Sequence, residues 1–579
     1  MKKNIIYIAA MAMLTAACSN EDDTFLSGFE NNGTGNTKMI TETITATSGD
    51  GATRAAIDAN AKFTWSAGDQ IAVHVSDGKY YTTEALTTGG NNTADFTVAV
   101  PEGELRDAFA VYPASIVAES AANYGQSGKA LDVTLPGSYA IDEVSGTTTP
   151  CPMIADNTGS SWTFKQLCGM LRLVVKNIPT SATYLKIDFD GKKVQGAFSI
   201  ASTVTAGTST IATSATTSDD DIITITGLTG ASRNYNINLP LPTGNYTNVT
   251  VTAYNSNDLL LLTITRPLKT SGTYTAARAK GHKVAAVLPA FSVSETLQVA
   301  FAPGNLQATT TDCHNWTWHF AANQWDYIGG NRSTGSLPET GNNHIDGNGY
   351  LTSPGTVDLF GWVGKSNNQW GGVLGSGEDA AKHGITVSSR TNSMAGYGNS
   401  IYEPLKSDWG NTINDGYSWH TPRKNHWVYV FNTRTSGSTV NGISNARYTL
   451  ATINTDGTSV NGVILFPDGV AIAVSEATSW GNINNKTTWD ECTKCTTAQW
   501  TNLAAKGCVF LPAGGYRSYT SVIDPGTYGF YWSYSPYDNE NLSTAVYYSY
   551  DVAFYPNNMD PASHKNRDHG CSVRLIRDL

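Results

Sequence analysis

Two cysteines three positions apart, Cys492 and Cys495, have the spacing that redox centres and zinc sites use to bring two thiolates to one point. Either chemistry needs company: a second such pair or paired histidines for zinc, a basic surround for redox work. Only Lys486 and Lys494 stand nearby, so the pair reads as a structural disulfide or as plain thiols. Cys508 and Cys571 fall in apolar stretches and read as core residues. His564 and His569, beside Arg567 and Asp568, lack a third ligand at metal-binding spacing. Asp326 and Asp358 are loop carboxylates, and two such acids do not define the opposed pair of a glycosidase, so structural hydrogen bonding is expected. Loop acids such as Asp346 and Asp468 could join a calcium site, which takes roughly six to eight oxygens; the sequence does not assemble such a set, so calcium is left open and no cofactor is assigned. There is no G-x-S-x-G, P-loop or H-E-x-x-H, and the chain does not read as an enzyme.

A second group of residues suits binding rather than catalysis. Trp370, Tyr402, Asp408, Trp409 and Trp419 sit in or beside Gly- and Asn-rich segments, where aromatic faces with carboxylate and amide neighbours could stack on a sugar or anchor a protein partner. The alternative for each tryptophan is the core of a loop-rich domain, and Trp325, Trp362 and Trp532, inside strand-like motifs, belong there more clearly.

The elements that must carry these residues follow from composition and pattern. The chain has 579 residues, enough for three or four compact domains, with 37 Lys plus Arg against 48 Asp plus Glu and a net charge of -11. No basic stripe appears, which excludes a nucleic-acid role. Charged residues make up 15%, while Thr, Ser, Asn, Gly and Tyr abound, as in strands with polar outer faces joined by long loops. Only Trp65 and Trp162 precede residue 300, so two kinds of domain meet near residue 290.

Residues 55–290 read as short alternating strands: Gln70 to Val75, Ala94 to Val100, Phe109 to Tyr112 before Pro113, Leu131 to Leu135, Leu171 to Val175, Ala182 to Phe189, Asn248 to Ala253, Leu259 to Ile264 and Val284 to Leu288. Helical periodicity never lasts three turns. The expected fold is therefore mainly β, with two tandem β-sandwich-like domains, 55–165 and 166–290, and an α+β terminal domain, 291–579. In the last, helices are expected over Thr421 to Phe431, capped at Thr421 ahead of Pro422, and over Thr496 to Ala505.

The start of the chain reads as an address. Lys2 and Lys3 precede an apolar run from Ile5 to Leu14 that is too short for a permanent span, and small residues lead into Cys18. This resembles the bacterial lipobox, which implies a signal peptide over 1–17 and lipidation of Cys18. Polar residues from Ser19 to about Asp50 suggest a flexible tether, so 18–54 is taken as a lipidated tether or propeptide.

Two further resemblances extend this. Thr53-Arg54-Ala55, Phe63-Thr64-Trp65, Gly68-Asp69-Gln70-Ile71-Ala72-Val73 and Phe109-Ala110-Val111-Tyr112-Pro113 resemble the fimbrillin-like lipoproteins of Bacteroides-type bacteria over residues 1 to about 290. That resemblance implies a pilus subunit with two β-sandwich-like domains. It also implies cleavage after Arg54 and filling of the groove so exposed by a strand of another subunit. The outer membrane is the implied location before cleavage, and the fimbrium after it. The terminal part is similar to a C-type-lectin-like domain repeated in the same bacteria. The similarity rests on Phe301-Ala302-Pro303-Gly304-Asn305-Leu306, Trp318 to Tyr327, Asp358 to Trp362, Asn461 to Pro467, Leu511 to Arg517, Gly529 to Ser533 and Ser572 to Ile576. Its Glu-Pro-Asn and Trp-Asn-Asp calcium motifs are absent. Ordinary shaft subunits end after the second sandwich; the extra domain implies a tip subunit that mediates adhesion to a host, bacterial or glycan ligand. The alternatives are a non-polymerising carbohydrate-binding lipoprotein at the cell surface and a surface enzyme with a catalytic terminal domain.

Overall fold

A computed structural model describes residues 38–49, 64–105, 109–117, 131–142, 146–147, 151–157, 161–200, 204–216, 219–229, 233–311, 316–329, 354–362, 408–455, 458–518, 521–537, 548–566 and 569–579. The chain is mainly β, as expected, with forty strands and two short α-helices among the described residues.

The first sheet is built from β1 (Met39–Ser48), β2 (Ala72–His74), β3 (Tyr80–Thr82), β4 (Thr93–Pro101), β5 (Phe109–Tyr112), β9 (Met153–Asp156) and β10 (Ser161–Gln166), in the order β3-β2-β5-β9-β10-β1-β4. β1 falls within the segment expected as a flexible tether, so that reading is corrected for residues 39–48. Its Ile40, Glu42, Ile44 and Ala46 alternate with Thr41, Thr43, Thr45 and Thr47, the β-branched period-two pattern of a half-buried strand.

Three intervening strands, β6 (Leu131–Leu135), β7 (Ser138–Asp142) and β8 (Gly146–Thr147), leave this sheet before β9 returns to it. β6 pairs with β13 (Gly196–Ile200), and β7 with β14 (Ile222–Thr226). The chain between residues 131 and 166 thus serves both units. In the second, β18 (Leu260–Pro267), β17 (Asn248–Tyr254), β12 (Tyr184–Asp188), β14, β7 and β8 form a six-stranded sheet. A three-stranded sheet of β15 (Tyr235–Leu241), β11 (Gly169–Lys176) and β20 (Gly281–Val287) shares one apolar core with it, from Leu171, Leu173 and Val175 to Ile187, Val251 and Ile264.

From residue 291 the pattern changes to short strands around three aromatic-rich cores. The strand Gln298–Phe301 pairs with Ile576–Asp578, so the ends of this unit lie side by side. The helix Thr497–Ala505 starts as expected, with Thr496 capping it and Gln499 closing the box. The other helix begins later than expected, at Lys424, because the Thr421 N–H and hydroxyl are bonded to the Asp408 carboxylate; Trp427, Val430 and Phe431 still point inward. Arg574 is fully buried, donating to Asn305 Oδ1 at 3.0 Å, Ala302 O at 3.1 Å and Phe510 O at 2.8 Å. Asn305 in turn donates to Tyr531 Oη, and Tyr531 to Pro512 O. Residues from four of the signature segments thus meet in one buried polar network, where each partner satisfies a group that burial would otherwise leave costly.

Candidate functional site

β1 is the strand that joins β4 to β10 in the first sheet. It runs antiparallel to β4 from the Met39–Pro101 pair to the Thr47–Thr93 pair, and parallel to β10 from Thr45–Ser161 to Ser48–Phe164. Side chains fasten the same registers. Thr45 Oγ1 donates to Asp95 at 2.7 Å, Lys165 Nζ to Gly49 O at 2.9 Å, and Lys38 pairs with Glu102 at 3.3 Å. On the inner face Ile44 is 3% and Ala46 0% exposed.

Trp65 stands beneath the strand, its indole N–H on Ala46 O at 3.2 Å and its ring edge-on to Phe96, Tyr112 and Phe164 at 5.0, 5.1 and 5.4 Å. Tyr112 donates to Asp69 at 2.8 Å, and Asp69 also accepts from Ser66 N. Burial pushes the Asp69 carboxyl up, and these two donors act against the shift. Three of the motifs quoted for residues 63–113 therefore converge under one strand. At its start a cleft of about 200 Å³ opens between Ile40, Glu42, Val100 and Leu105. Without β1, the facing backbone edges of β4 and β10 would stand two strand spacings apart, about 9–10 Å, with their N–H and C=O groups unpaired.

The sequence-derived candidates lie elsewhere. Cys18, Arg54, Trp370 and Tyr402 fall outside the described residues, as does Asp346. Trp409 is fully buried, its ring 5.3 Å from Phe360 and 6.3 Å from Trp318. Trp419 is 8% exposed, donates to Asp415 at 2.9 Å and packs edge-on against Phe320. Neither indole offers a face to a ligand, which corrects that expectation: both fill the space left by short strands and long connections.

Asp408 caps the turn Trp409–Thr412, accepting from Gly410 N, Thr421 N and Thr421 Oγ1. Burial pushes its carboxyl up despite these donors. It also lines a cleft of about 440 Å³ with His420, Arg423, His426, Tyr534 and Asp578. There His420 Nε2 is 3.0 Å from Asp578, and burial, followed by the nearby His420 and Arg423, pushes His426 down to about 4. Of the five candidates, the structure brings Asp408, Trp409 and Trp419 close in the fold, but only Asp408 faces this cleft. The cleft residues His420, Arg423 and His426 carried no sequence signal beyond their neighbourhood of Asp408.

Asp468 is engaged by protein donors. Its two oxygens accept from Arg434 Nη1 at 2.9 Å, Ser436 Oγ at 2.8 Å, Ser292 N and Oγ at 2.7 Å each, and Gln298 at 3.2 Å. Asp358 accepts from Ile328 N and Asp326 closes a turn at Asn323, both structural. Cys492 and Cys495 point into different cores. Burial pushes both thiols up, Cys495 to about 12, the opposite of what a redox or metal-binding thiolate needs. Among the described residues no three His, Cys, Asp or Glu side chains gather as metal ligands.

No family model and no curated protein matches the chain. Solved structures do show likeness. A protein from Bacteroides uniformis, described as a cell adhesion protein, is 18% identical, with 43% of this chain and 92% of that one covered at a TM-score of 0.25. The tip fimbrial protein Mfa3 from Porphyromonas gingivalis, with C-terminal truncation, is 13% identical over 43% of this chain and 94% of that one, at a TM-score of 0.21. A fimbrial protein from Bacteroides ovatus is 9% identical over 93% and 98%, at a TM-score of 0.20. These neighbours are described as adhesion and fimbrial proteins, not as enzymes, and their scores are too low to establish a shared arrangement of the whole chain.

Proposed function

We propose that this chain is a fimbrial subunit that joins its neighbours by strand exchange at the β1 seat and carries an adhesive domain at the fibre tip. The observation that supports it is the position of β1. The strand lies inside a sheet, yet it stands upstream of the Arg54 candidate site, so a cut there leaves it held by non-covalent contacts alone. A strand from another subunit can then take its place, with backbone hydrogen bonds giving affinity and pockets at alternate side chains giving selectivity. In this reading Cys18 delivers the precursor to the outer membrane and Arg54 marks where the mature subunit parts from its anchor.

Tip placement is favoured by the extra domain over 291–579, beyond the two units that the resemblance gives to an ordinary shaft subunit. Within it, residues 576–578 pair with Gln298–Phe301, and the Leu579 N–H donates to Gln298 O. Immunogold labelling of intact fibres tests the placement: label at fibre ends is expected, and label spread evenly along shafts would overturn it.

A fully paired β1 also suits a surface lipoprotein that never polymerises. Chains recovered from the cell surface with residues 19–54 still attached would favour that second reading.

A further inference from the structure

The strand that β1 pairs with in parallel is held more briefly on its other side. β10 makes four residue pairs with β1, over Ser161–Phe164, but two with β9, Lys165 with Ile154 and Gln166 with Met153. Once β1 leaves its seat, the edge on which an incoming strand must pair is held by those two pairs and by the buried Trp162 and Phe164 side chains.

The same register runs on to the base of the β9–β10 hairpin. The Leu167 N–H donates to Pro152 O at 2.8 Å, which sets Cys168 opposite Cys151 at the next position. That position is a non-hydrogen-bonded one, where facing side chains of antiparallel strands come closest. Both cysteines are 0% exposed, pack with Met170, and bring their sulfurs to 3.7 Å. At that separation rotation of the side chains is enough to bond them.

Deepening the strand-exchange reading and resting on it, we propose that Cys151 and Cys168 form a disulfide that clamps the β9–β10 hairpin and keeps β10 in register while the β1 seat is empty. The folded chain shields both sulfurs, so the bond forms during export, before the hairpin is buried. One cysteine thiolate attacks the disulfide of an oxidising protein, giving a mixed disulfide and releasing one donor sulfur as a thiol. The second cysteine thiolate attacks the mixed disulfide, forming the Cys151–Cys168 bond and releasing the other donor sulfur. The two cysteines are thereby oxidised with loss of two hydrogens, and the donor disulfide is reduced to a dithiol. The bond joins positions 17 apart and restricts the hairpin when its neighbour has gone. An edge already in register binds a strand more tightly, because less order remains to be imposed.

Non-reducing peptide mapping of chains recovered from the cell surface reads the linkage. The clamp itself is tested on the full-length chain nicked after Arg54, in which dilution measures the dissociation constant of the fragment that carries β1. Three forms are compared: the linked chain, the same chain refolded in a phosphine reductant, and the double variant Cys151→Ala with Cys168→Ala. The linked chain should hold the fragment about tenfold or more tightly than the other two. The reduced chain keeps both sulfurs, so a loss shared by it and the double variant belongs to the bond and not to packing. Surface chains in which both cysteines are alkylated without reduction would overturn the proposal. Equal dissociation constants for the linked and reduced chains would overturn the clamp while leaving strand exchange standing. A fragment that dissociates from none of the three forms would overturn the exchangeable seat, and the clamp with it.

Discussion

Removing β1 should open the first sheet, and supplying it again should close it. The strand makes nine pairs with β4 and four with β10. With each ladder hydrogen bond worth about 1 kcal/mol net, and burial of an isoleucine such as Ile44 worth about 1.5–3 kcal/mol, its contacts amount to on the order of 10 kcal/mol. That is comparable with the whole stability of an ordinary domain, about 5–15 kcal/mol. A chain cut after Arg54 and stripped of residues 1–54 should therefore lose amide protection along β4 and β10, while the second sandwich, whose core is separate, keeps its own. Hydrogen exchange read by mass spectrometry measures this strand by strand. A synthetic peptide of residues 38–49 should restore protection at Thr93–Pro101 and Ser161–Gln166. The same peptide with Ile44→Asp should not, since it drives a charge into the Trp65 cluster. Full protection of β4 and β10 without any peptide, or no response to the native peptide, would refute the idea that β1 occupies an exchangeable seat.

Three other outcomes follow from buried groups. Burial pushes the Asp551 carboxyl up to about 7, with Asp560 adding to the shift and Lys565 and Ser563 opposing it. Its unfolded value is near 4, so the stability present below about pH 4 is lost as pH rises toward 7; Asp551→Asn, which cannot ionise, should gain about 4 kcal/mol on the native chain between pH 4 and pH 8. Parallel melting profiles for the two proteins would contradict this. Asp468→Ala strands the Arg434 guanidinium, 0% exposed and pushed down by burial, and should cost about 3–5 kcal/mol in thermal or urea unfolding. A near-neutral effect would mean the pair is dispensable. Cys151 and Cys168 lie buried with sulfurs 3.7 Å apart. In an oxidising compartment, exchange with a disulfide donor should join them, the donor leaving as its dithiol, and non-reducing peptide mapping should find the pair linked with the loss of two hydrogens.

What could be read in the sequence was local. Leu131–Leu135 is a strand with the bounds its alternation suggests, and Thr496 with Gln499 marks the start of a helix, because pattern and cap are written in adjacent residues. What could not be read depends on distant partners. β1 is rich in Thr, and its Ile44 and Ala46 become a buried stripe, with Ile40 partly covered, only against β4, about fifty residues on. Asn558–Asn566 carries polar residues and Pro561, and it exists as the edge strand of a sheet, where proline is tolerated. Trp409 and Trp419 looked like binding residues because glycines and asparagines surround them; in three dimensions those neighbours let the indoles sink into the core. Arg574 and Asn305, 269 positions apart, show the same limit in a buried network.

The strand-exchange account is tested most directly by mass spectrometry of purified surface fibres, reading both the N-terminus of this chain and its copy number. The account predicts a chain that begins at Ala55, lacks β1, and is present at one copy per fibre. Fibres in which the chain retains residues 39–48, or fibres without the chain at all, would contradict it.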